Sequence, residues 1–203
     1  MVDVLLNYLH IAEEKSNILE KLGVSSKDYI LLTFHREKNT EDIHTLNNIV
    51  SALLRLRDFK IVFPTHPRTE KALKETGLFK KIENSKNILA TPPLNYLDFV
   101  KLENNAIKIM TDSGGVQKEA YVLGIPCITL RDATECTETV QEGWNLLVAV
   151  CPEKIVNAVR NFAPEKKSAR KALGDGKAAI KIASILLENL GGMRKMTTSR
   201  ARA

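Results

Sequence analysis

The stretch Ile107-Lys108-Ile109-Met110-Thr111-Asp112-Ser113-Gly114-Gly115-Val116-Gln117-Lys118-Glu119 reads as a strand, a glycine turn and the opening of a helix. A short apolar run bounded by polar, turn-forming residues is a buried strand, here Ile107–Met110. Two adjacent glycines let the backbone come close to an anion. The free N–H groups of the helix they open, Gly114–Leu123, carry the positive end of its dipole. The spacing matches neither G-x-G-x-x-G nor the P-loop, whose lysine follows its second glycine directly. A plainer reading makes Ser113 an N-cap and the glycines a tight turn, and spacing alone does not separate the two.

The alternation continues on both sides of this unit. Apolar, β-rich runs recur at Tyr29–Phe34, Lys60–Phe63, Asn87–Ala90, Pro126–Leu130 and Asn145–Val148. Helical periodicity fills most of the intervals, at Glu41–Leu56, about Thr69–Glu75 and Asn95–Glu103. Short strands alternating with helices call for βαβ units and a parallel sheet covered on both faces. Right-handed crossovers then predict a Rossmann-like, doubly wound α/β domain. Val2–Leu22 reads as one helix, apolar or aromatic at Val4, Leu5, Tyr8, Ile11, Ile18, Leu19 and Leu22, stopped by Gly23 and able to pack on a neighbouring body. Helices are also predicted over Glu153–Phe162 and Asp175–Leu187, with Gly191–Gly192 as a break. The expected organisation is a linker helix over 1–23, the sheet domain over 24–190 and a basic, flexible tail over 191–203.

Composition closes off other classes. With 203 residues, 44% of them hydrophobic, there is ample material for one core, and neither disorder nor a disulfide-stapled mini-protein is expected. Thirty basic residues against twenty-four acidic ones give +6, yet Arg194, Lys195, Arg200 and Arg202 follow Met193 without an acid; setting those four aside leaves about +2. That is no basic footprint for nucleic acid. No stretch approaches the roughly 18 consecutive apolar residues of a membrane span, so no membrane partner is expected. The opening residues carry neither a basic n-region nor an apolar h-region. Cys127, Cys136 and Cys151 are few, odd in number and outside any C-x-x-C pair. Both features point to a reducing cytoplasm.

In open α/β sheets ligands bind beyond the carboxyl ends of the strands, which draws attention to four polar loops. Besides the loop at Asp112, His35-Arg36-Glu37-Lys38-Asn39-Thr40 follows the first strand. A histidine and arginine there can neutralise a pyrophosphate, and the histidine can move a proton, while Thr40 suits the cap of a helix from Glu41. Pro64-Thr65-His66-Pro67-Arg68-Thr69 follows the second strand, where the prolines fix a turn and favour a structural role for His66. Arg131-Asp132-Ala133-Thr134-Glu135-Cys136-Thr137-Glu138 follows the strand at Pro126–Leu130; Thr134 and Glu135 either hydrogen-bond a sugar or anchor the loop, and Cys136 reads as an ordinary thiol. Glu119 is a ligand group or a solvated surface acid. No set of these histidines and carboxylates has zinc-ligand spacing, so no metal is predicted. Each loop alone has a structural explanation, but together they favour an anionic, nucleotide-bearing ligand over a purely structural domain.

In this order and spacing, the motifs resemble the carboxyl-terminal half of the non-hydrolysing UDP-N-acetylglucosamine 2-epimerases, GT-B type enzymes with two Rossmann-like domains around a cleft. The similarity runs from about Val2 to Leu187. It rests on His35–Asn39, His66–Thr69, Asp112-Ser113-Gly114-Gly115 with Gln117 and Glu119, Arg131 with Thr134, Glu135 and Glu138, and Gly174-Asp175-Gly176-Lys177. The resemblance implies reversible interconversion of UDP-GlcNAc and UDP-ManNAc in the synthesis of ManNAc-containing surface polysaccharide. UDP is eliminated to leave an enzyme-bound 2-acetamidoglucal, then re-adds after the proton has returned to the opposite face at C2. The resemblance assigns Ser113, Gly114 and Gly115 to the diphosphate, Glu119 to the ribose hydroxyls, and His35, the catalytic candidate, to the phosphates and reacting sugar. Arg131 and Glu135 would line the same cleft, and Arg36 and His66 complete the implied substrate-binding set. No organic cofactor is implied. Amide donors and cations in a closed cleft suit the stabilisation of departing UDP.

The chain departs from the family pattern in several places. Lys38 stands where His-Arg-x-Glu-Asn has its glutamate, Lys118 precedes Glu119 where many members have another glutamate, and Cys136-Thr137 fills the middle of Thr-Glu-Arg-Pro-Glu. Full members are much longer, the remainder being an amino-terminal domain with most of the catalytic carboxylates. The resemblance therefore implies half an enzyme, able to bind UDP or a UDP-sugar weakly and inactive alone. A separate amino-terminal half, or a homodimer, is its implied partner, and self-association or poor solubility is expected. Two other readings stand beside this one: a UDP-sugar-binding module or pseudoenzyme that regulates a partner, and the donor domain of a GT-B glycosyltransferase. His66-Pro67-Arg68-Thr69 and Gly174-Asp175-Gly176-Lys177 speak against the last.

Overall fold

A computed structural model describes residues 1–164 and 172–200, with side chains through Asn189. The chain enters through α1 (Val2–Lys15) and α2 (Ile18–Leu22) and then alternates. The first half runs β1 (Tyr29–Thr33), α3 (Glu37–Thr40), α4 (Ile43–Arg55), β2 (Lys60–Pro64), α5 (Pro67–Glu75), α6 (Leu78–Glu83), β3 (Ile88–Thr91) and α7 (Tyr96–Asn105). The second runs β4 (Lys108–Thr111), α8 (Gly114–Leu123), β5 (Cys127–Thr129), α9 (Thr137–Gln141), β6 (Asn145–Leu147), α10 (Pro152–Asn161) and α11 (Ala178–Arg200). The strands pair in the order β3-β2-β1-β4-β5-β6, every neighbouring pair parallel. This is the Rossmann-like, doubly wound α/β sheet read from the sequence. Its order reverses between β1 and β4, where Thr33 faces Thr111 at the carboxyl ends of both strands. The loops leaving those two ends therefore flank one crevice.

β1 shows how both faces come to be covered. All of its residues are buried, and successive side chains point to opposite sides. Ile30 and Leu32 join Leu46, Ile49 and Leu53 of α4 and Ile155 and Val159 of α10. Tyr29 and Leu31 join Ile18 of α2, Leu102 of α7 and Val116 and Ala120 of α8. Each large side chain so buried contributes roughly 1.5–3 kcal/mol, which makes the sheet a rigid base for the loops at its edge. Lys108 interrupts the apolar run of β4. It is buried, and its Nζ donates to the carbonyls of Val159 at 2.6 Å and Ala158 at 3.4 Å, a cation at the carboxyl end of α10.

Several local expectations are corrected. Val2–Leu22 is two helices, because Ser16 leaves the helical conformation while its Oγ donates to Asp98 Oδ1 at 2.5 Å. Its apolar face is not left for a neighbouring body alone: Leu5 and Ala12 are fully buried against Val100, with Leu9, Leu97, Val122 and Leu123 around them. The helix expected from Glu41 starts at Ile43, capped by Asp42, whose carboxylate accepts from the His44 and Thr45 N–H groups. Thr40 instead ends α3, its Oγ1 donating to the carbonyls of Arg36 and Glu37. α11 runs through Gly191–Gly192, where a break was expected. A glycine costs about 1 kcal/mol against alanine inside a helix, too little to end one flanked by Leu190, Met193, Arg194 and Lys195. The side chains of the expected basic tail, 191–203, lie outside the described residues. Among the described residues no helix is long and apolar enough to cross a membrane.

Candidate functional site

Gly114 and Gly115 are the first residues of α8, and neither adopts a left-handed backbone. What Gly114 supplies is space. A Cβ there would lie 2.2 Å from Glu135 Oε1, whereas one on Gly115 would meet nothing nearer than Ser113 Oγ at 3.7 Å. Ser113 occupies the N-cap position, yet its side chain makes no capping hydrogen bond, so the plain N-cap reading does not hold for its hydroxyl. The first amides of α8 thus open the crevice with a carboxylate, that of Glu135, lying over Gly114.

The two loops are joined by Asp112, which is fully buried. Its carboxylate accepts from His35 N at 3.0 and 3.1 Å, Arg36 N at 2.9 Å and Asn39 Nδ2 at 2.9 Å. Asn39 also donates to the Leu130 carbonyl at 3.2 Å, tying β5 into the same knot. Three N–H groups satisfy a buried carboxylate and fix the turn that presents His35 and Arg36. His35 Nδ1 stands 3.6 Å from Asp112 Oδ1, and its ring lies against that of His66, centroids 5.1 Å apart.

His66 has the structural role read from its prolines: it is the N-cap of α5, its Nδ1 accepting from Arg68 N at 3.2 Å. Partial burial, then the charges of His35 and Arg68, lower its pKa and favour the neutral ring that can accept this bond. The capped turn also serves the crevice. Arg68 Nη1 donates to the His35 carbonyl at 3.3 Å, and Thr69 Oγ1 donates to that of Phe34.

On the other side, Arg131 Nη1 lies 2.8 Å from Glu135 Oε2 and Arg36 Nη2 lies 3.3 Å from Oε1. A backbone N–H within its own residue, then Arg131 and Arg36, hold the Glu135 carboxyl below the usual carboxylate range. Thr134 anchors the loop: its Oγ1 donates to Gln117 Oε1 at 2.6 Å, which also accepts from Asn145 Nδ2 at 3.1 Å. Cys136 is buried with Sγ 3.5 Å from the Gly114 carbonyl. Lys38 meets Asp132 at 2.7 Å, so this acid-to-base departure has its counter-charge on the facing loop; nothing in the structure explains Lys118. A cavity of about 350 Å³ opens beside the Arg36 and Arg131 side chains, lined also by Lys38, Asn39 and Leu130.

The structure thus gathers His35, Arg36, His66, Ser113, Gly114, Gly115, Arg131 and Glu135 around one crevice. Glu119 stands farther along α8, half-buried, where Tyr96 Oη donates to its Oε1 at 2.9 Å. Sequence reading left Asp112, Asn39 and Asn145 without roles. A polar residue directly after the strand at the switch point was the available signal for Asp112. The Gly174–Lys177 motif belongs instead to the seating of α11 on α1. A Cβ on Gly176, whose φ is +77°, would lie 2.8 Å from Leu6 Cδ1, and Asp3 accepts from Ala179 N at 3.1 Å. Among the described residues no three His, Cys, Asp or Glu side chains are grouped so as to hold a metal ion.

Residues 1–187 match the family model described as UDP-N-acetylglucosamine 2-epimerase. A Methanococcus maripaludis protein, named a UDP-N-acetylglucosamine 2-epimerase homolog, is 47% identical over 187 residues, 92% of this chain and 52% of that protein. The UDP-N-acetylglucosamine 2-epimerase of Methanocaldococcus jannaschii is 44% identical over 191 residues, again 92% of this chain and 52% of that one. The crystal structure of the Methanocaldococcus jannaschii enzyme in complex with UDP-GlcNAc and UDP matches with a TM-score of 0.83 at 43% identity, over 92% of this chain and 52% of that chain. The chain spans about half the length of the curated relatives it matches.

Proposed function

This chain belongs to the UDP-N-acetylglucosamine 2-epimerase family, and from that membership we propose that it forms the UDP-binding half of an enzyme interconverting UDP-GlcNAc and UDP-ManNAc. One observation carries the proposal. The amide mouth of α8 is faced by two guanidinium groups, and a carboxylate already occupies the place an anion would take. A phosphate seated over Gly114 displaces the Glu135 carboxylate and inherits Arg36 and Arg131. Ser113, Gly114 and Gly115 then hold the diphosphate.

Charge develops on the departing phosphate oxygen as the sugar C1–O bond breaks. Donors fixed before the reaction stabilise that charge without reorganising. His35, held by Asp112 at its backbone and by His66 at its ring, is placed to exchange a proton with the phosphate or the reacting sugar. Glu119 receives the ribose hydroxyls. Removal and return of the proton at C2 falls to carboxylates of an amino-terminal half, supplied by a separate chain or within a homodimer.

In this reading residues 24–190 are the nucleotide-binding body, 1–23 the linker and 191–203 the tail. The unpaired cysteines suit a cytoplasmic setting. Isothermal titration with UDP and UDP-GlcNAc, alongside an NMR assay for UDP-ManNAc, tests the proposal. Binding without turnover is expected until an amino-terminal half is added. Turnover by the chain alone, or no binding of UDP, overturns it.

A further inference from the structure

Glu103 lies on α7 with none of its surface exposed, and neither carboxyl oxygen has a donor. The polar group that reaches it is another acceptor, the carboxyl of Glu119 on α8. Glu119 in turn accepts from Tyr96 Oη at 2.9 Å. No lysine or arginine pairs with either carboxyl among the described residues. The other titratable groups within Coulombic reach are Tyr96 on α7 itself, Tyr8 of α1 beside it, Cys127 of β5, and the Met1 amino group near Glu119. Two carboxyl groups facing each other, one of them fully buried, resist being ionised together, and two bare acceptors cannot hydrogen-bond without a proton between them.

We propose that Glu103 and Glu119 share one proton, Glu103 being the neutral partner that donates to Glu119, and that Glu103 thereby acts as a positioning residue for the group that receives the ribose. The fully buried side chain keeps the proton because its ionised form has no access to water. Burial raises the Glu119 pKa as well, but Glu119 is the less buried of the two and the one whose charge the Tyr96 and Glu103 donors stabilise. Glu119 is then held between two donors, Tyr96 and Glu103, with its remaining lone pairs fixed in direction and free for a vicinal diol. Burial and the neighbouring carboxylate both raise the Glu103 pKa above the ordinary carboxylate value, in keeping with this assignment. The ribose part of the inference rests on the UDP-binding reading; the shared proton does not.

The test separates the two. Glu103→Gln keeps the shape and an N–H donor and cannot ionise; Glu103→Leu keeps neither donor nor charge. In the infrared spectrum at neutral pH, the chain should show the carbonyl band of a protonated carboxylic acid, lost in Glu103→Gln. A neutral-pH spectrum without that band overturns the shared proton. A carboxyl whose folded pKa is raised binds its proton more tightly when folded, so it weakens the fold as pH climbs above the ordinary carboxylate value. Glu103→Gln should therefore gain stability over the wild type between pH 5 and 8, about, and a pH-independent difference counts against the proposal. For positioning, affinities for UDP and 2′-deoxy-UDP are compared. Glu103→Gln should keep the preference for UDP, and Glu103→Leu should lose about ten-fold of it, the worth of a hydrogen bond to a charged group. Unchanged discrimination in Glu103→Leu refutes the positioning role. If the wild type binds no UDP, the functional reading fails, while the infrared and stability arms still decide the shared proton; if Glu103→Leu does not fold, the Glu103→Gln measurements decide it.

Discussion

Replacing Gly114 by alanine should weaken nucleotide binding while leaving the fold almost untouched, and the same change at Gly115 should leave both binding and fold almost untouched. The new Cβ at Gly114 would stand 2.2 Å from Glu135 Oε1 and 3.3 Å from its Cδ. Ordinary contact needs about 3.4 Å or more, so the carboxylate must retreat by roughly 1 Å. It can, because it is the end of a half-exposed side chain. The retreat loosens ion pairs of 2.8 Å with Arg131 and 3.3 Å with Arg36. Exposed pairs are worth about 0.2–1 kcal/mol each, and alanine regains up to about 1 kcal/mol over glycine in a helix. The two nearly cancel, and Tm should move by no more than about 4 °C.

Binding has no such offset. The methyl group stands where a phosphate oxygen must come to reach the amides, and each charge-assisted bond lost is worth about 1.5–3 kcal/mol. UDP affinity should fall by about 10- to 100-fold in Gly114→Ala. At Gly115 the nearest atom is 3.7 Å away, and affinity should stay within about three-fold. Calorimetric titration with UDP and a thermal melt of each variant measure both quantities. A second comparison isolates the cause: removing the clash with Gly114→Ala/Glu135→Ala should not restore affinity. Equal UDP affinity in Gly114→Ala and the wild type would refute the placement of the anion.

Other outcomes follow from the same geometry. Asp112→Asn replaces one accepting oxygen with an NH2 donor that faces N–H donors, and should destabilise the chain by about 2–3 kcal/mol, read as a lower urea midpoint, with loss of UDP binding. His66 has a lowered pKa, so its contribution is present above its ordinary value of 6.5 and fades as pH falls through the lowered one. His66→Asn retains an N-cap acceptor without titrating, and the wild type should lose about 1 kcal/mol relative to it between pH 8 and pH 5. Gly176→Ala meets both a left-handed φ and the Leu6 methyl group at 2.8 Å, and a loss of about 1–2 kcal/mol in a thermal melt is expected.

The sheet was legible because its signals agree at every level. Ile109 and Met110 are apolar, lie between polar turns and occur once per βαβ unit, and the structure buries both in the strand next to β1. Boundaries were less legible because they are decided by single competing bonds. Thr40 and Asp42 are both good caps; the aspartate prevails by accepting from two N–H groups at once. Ser16 breaks the first helix through a bond to Asp98, a residue 82 positions away, and no local window contains that partner.

The site divides in the same way. Residues that would touch a ligand were visible, because glycines at a helix start and cations after strands are unusual enough to notice. The residues that hold them were not, because an aspartate or asparagine in a loop looks the same whether it is solvated or buried. Asp112 differs from Asp132, a few loops away, only in that its carboxylate is enclosed by three N–H groups while the other meets Lys38 in the open. Glu103 is the sharper case. Its spacing from Phe99 and Val100, four and three positions, puts it on the inward stripe of α7, while its charge argues for the surface. Such a conflict ordinarily resolves by turning the side chain outward or by pairing it with a cation. Here Val100 and Leu102 are fully buried beside it and a second carboxyl stands opposite, so neither escape is open and a proton must supply what the fold does not. A charged residue at an inward position, with no cation to answer it, is therefore a sequence-readable pointer to a site, and α7 carries one in the helix that packs against α8.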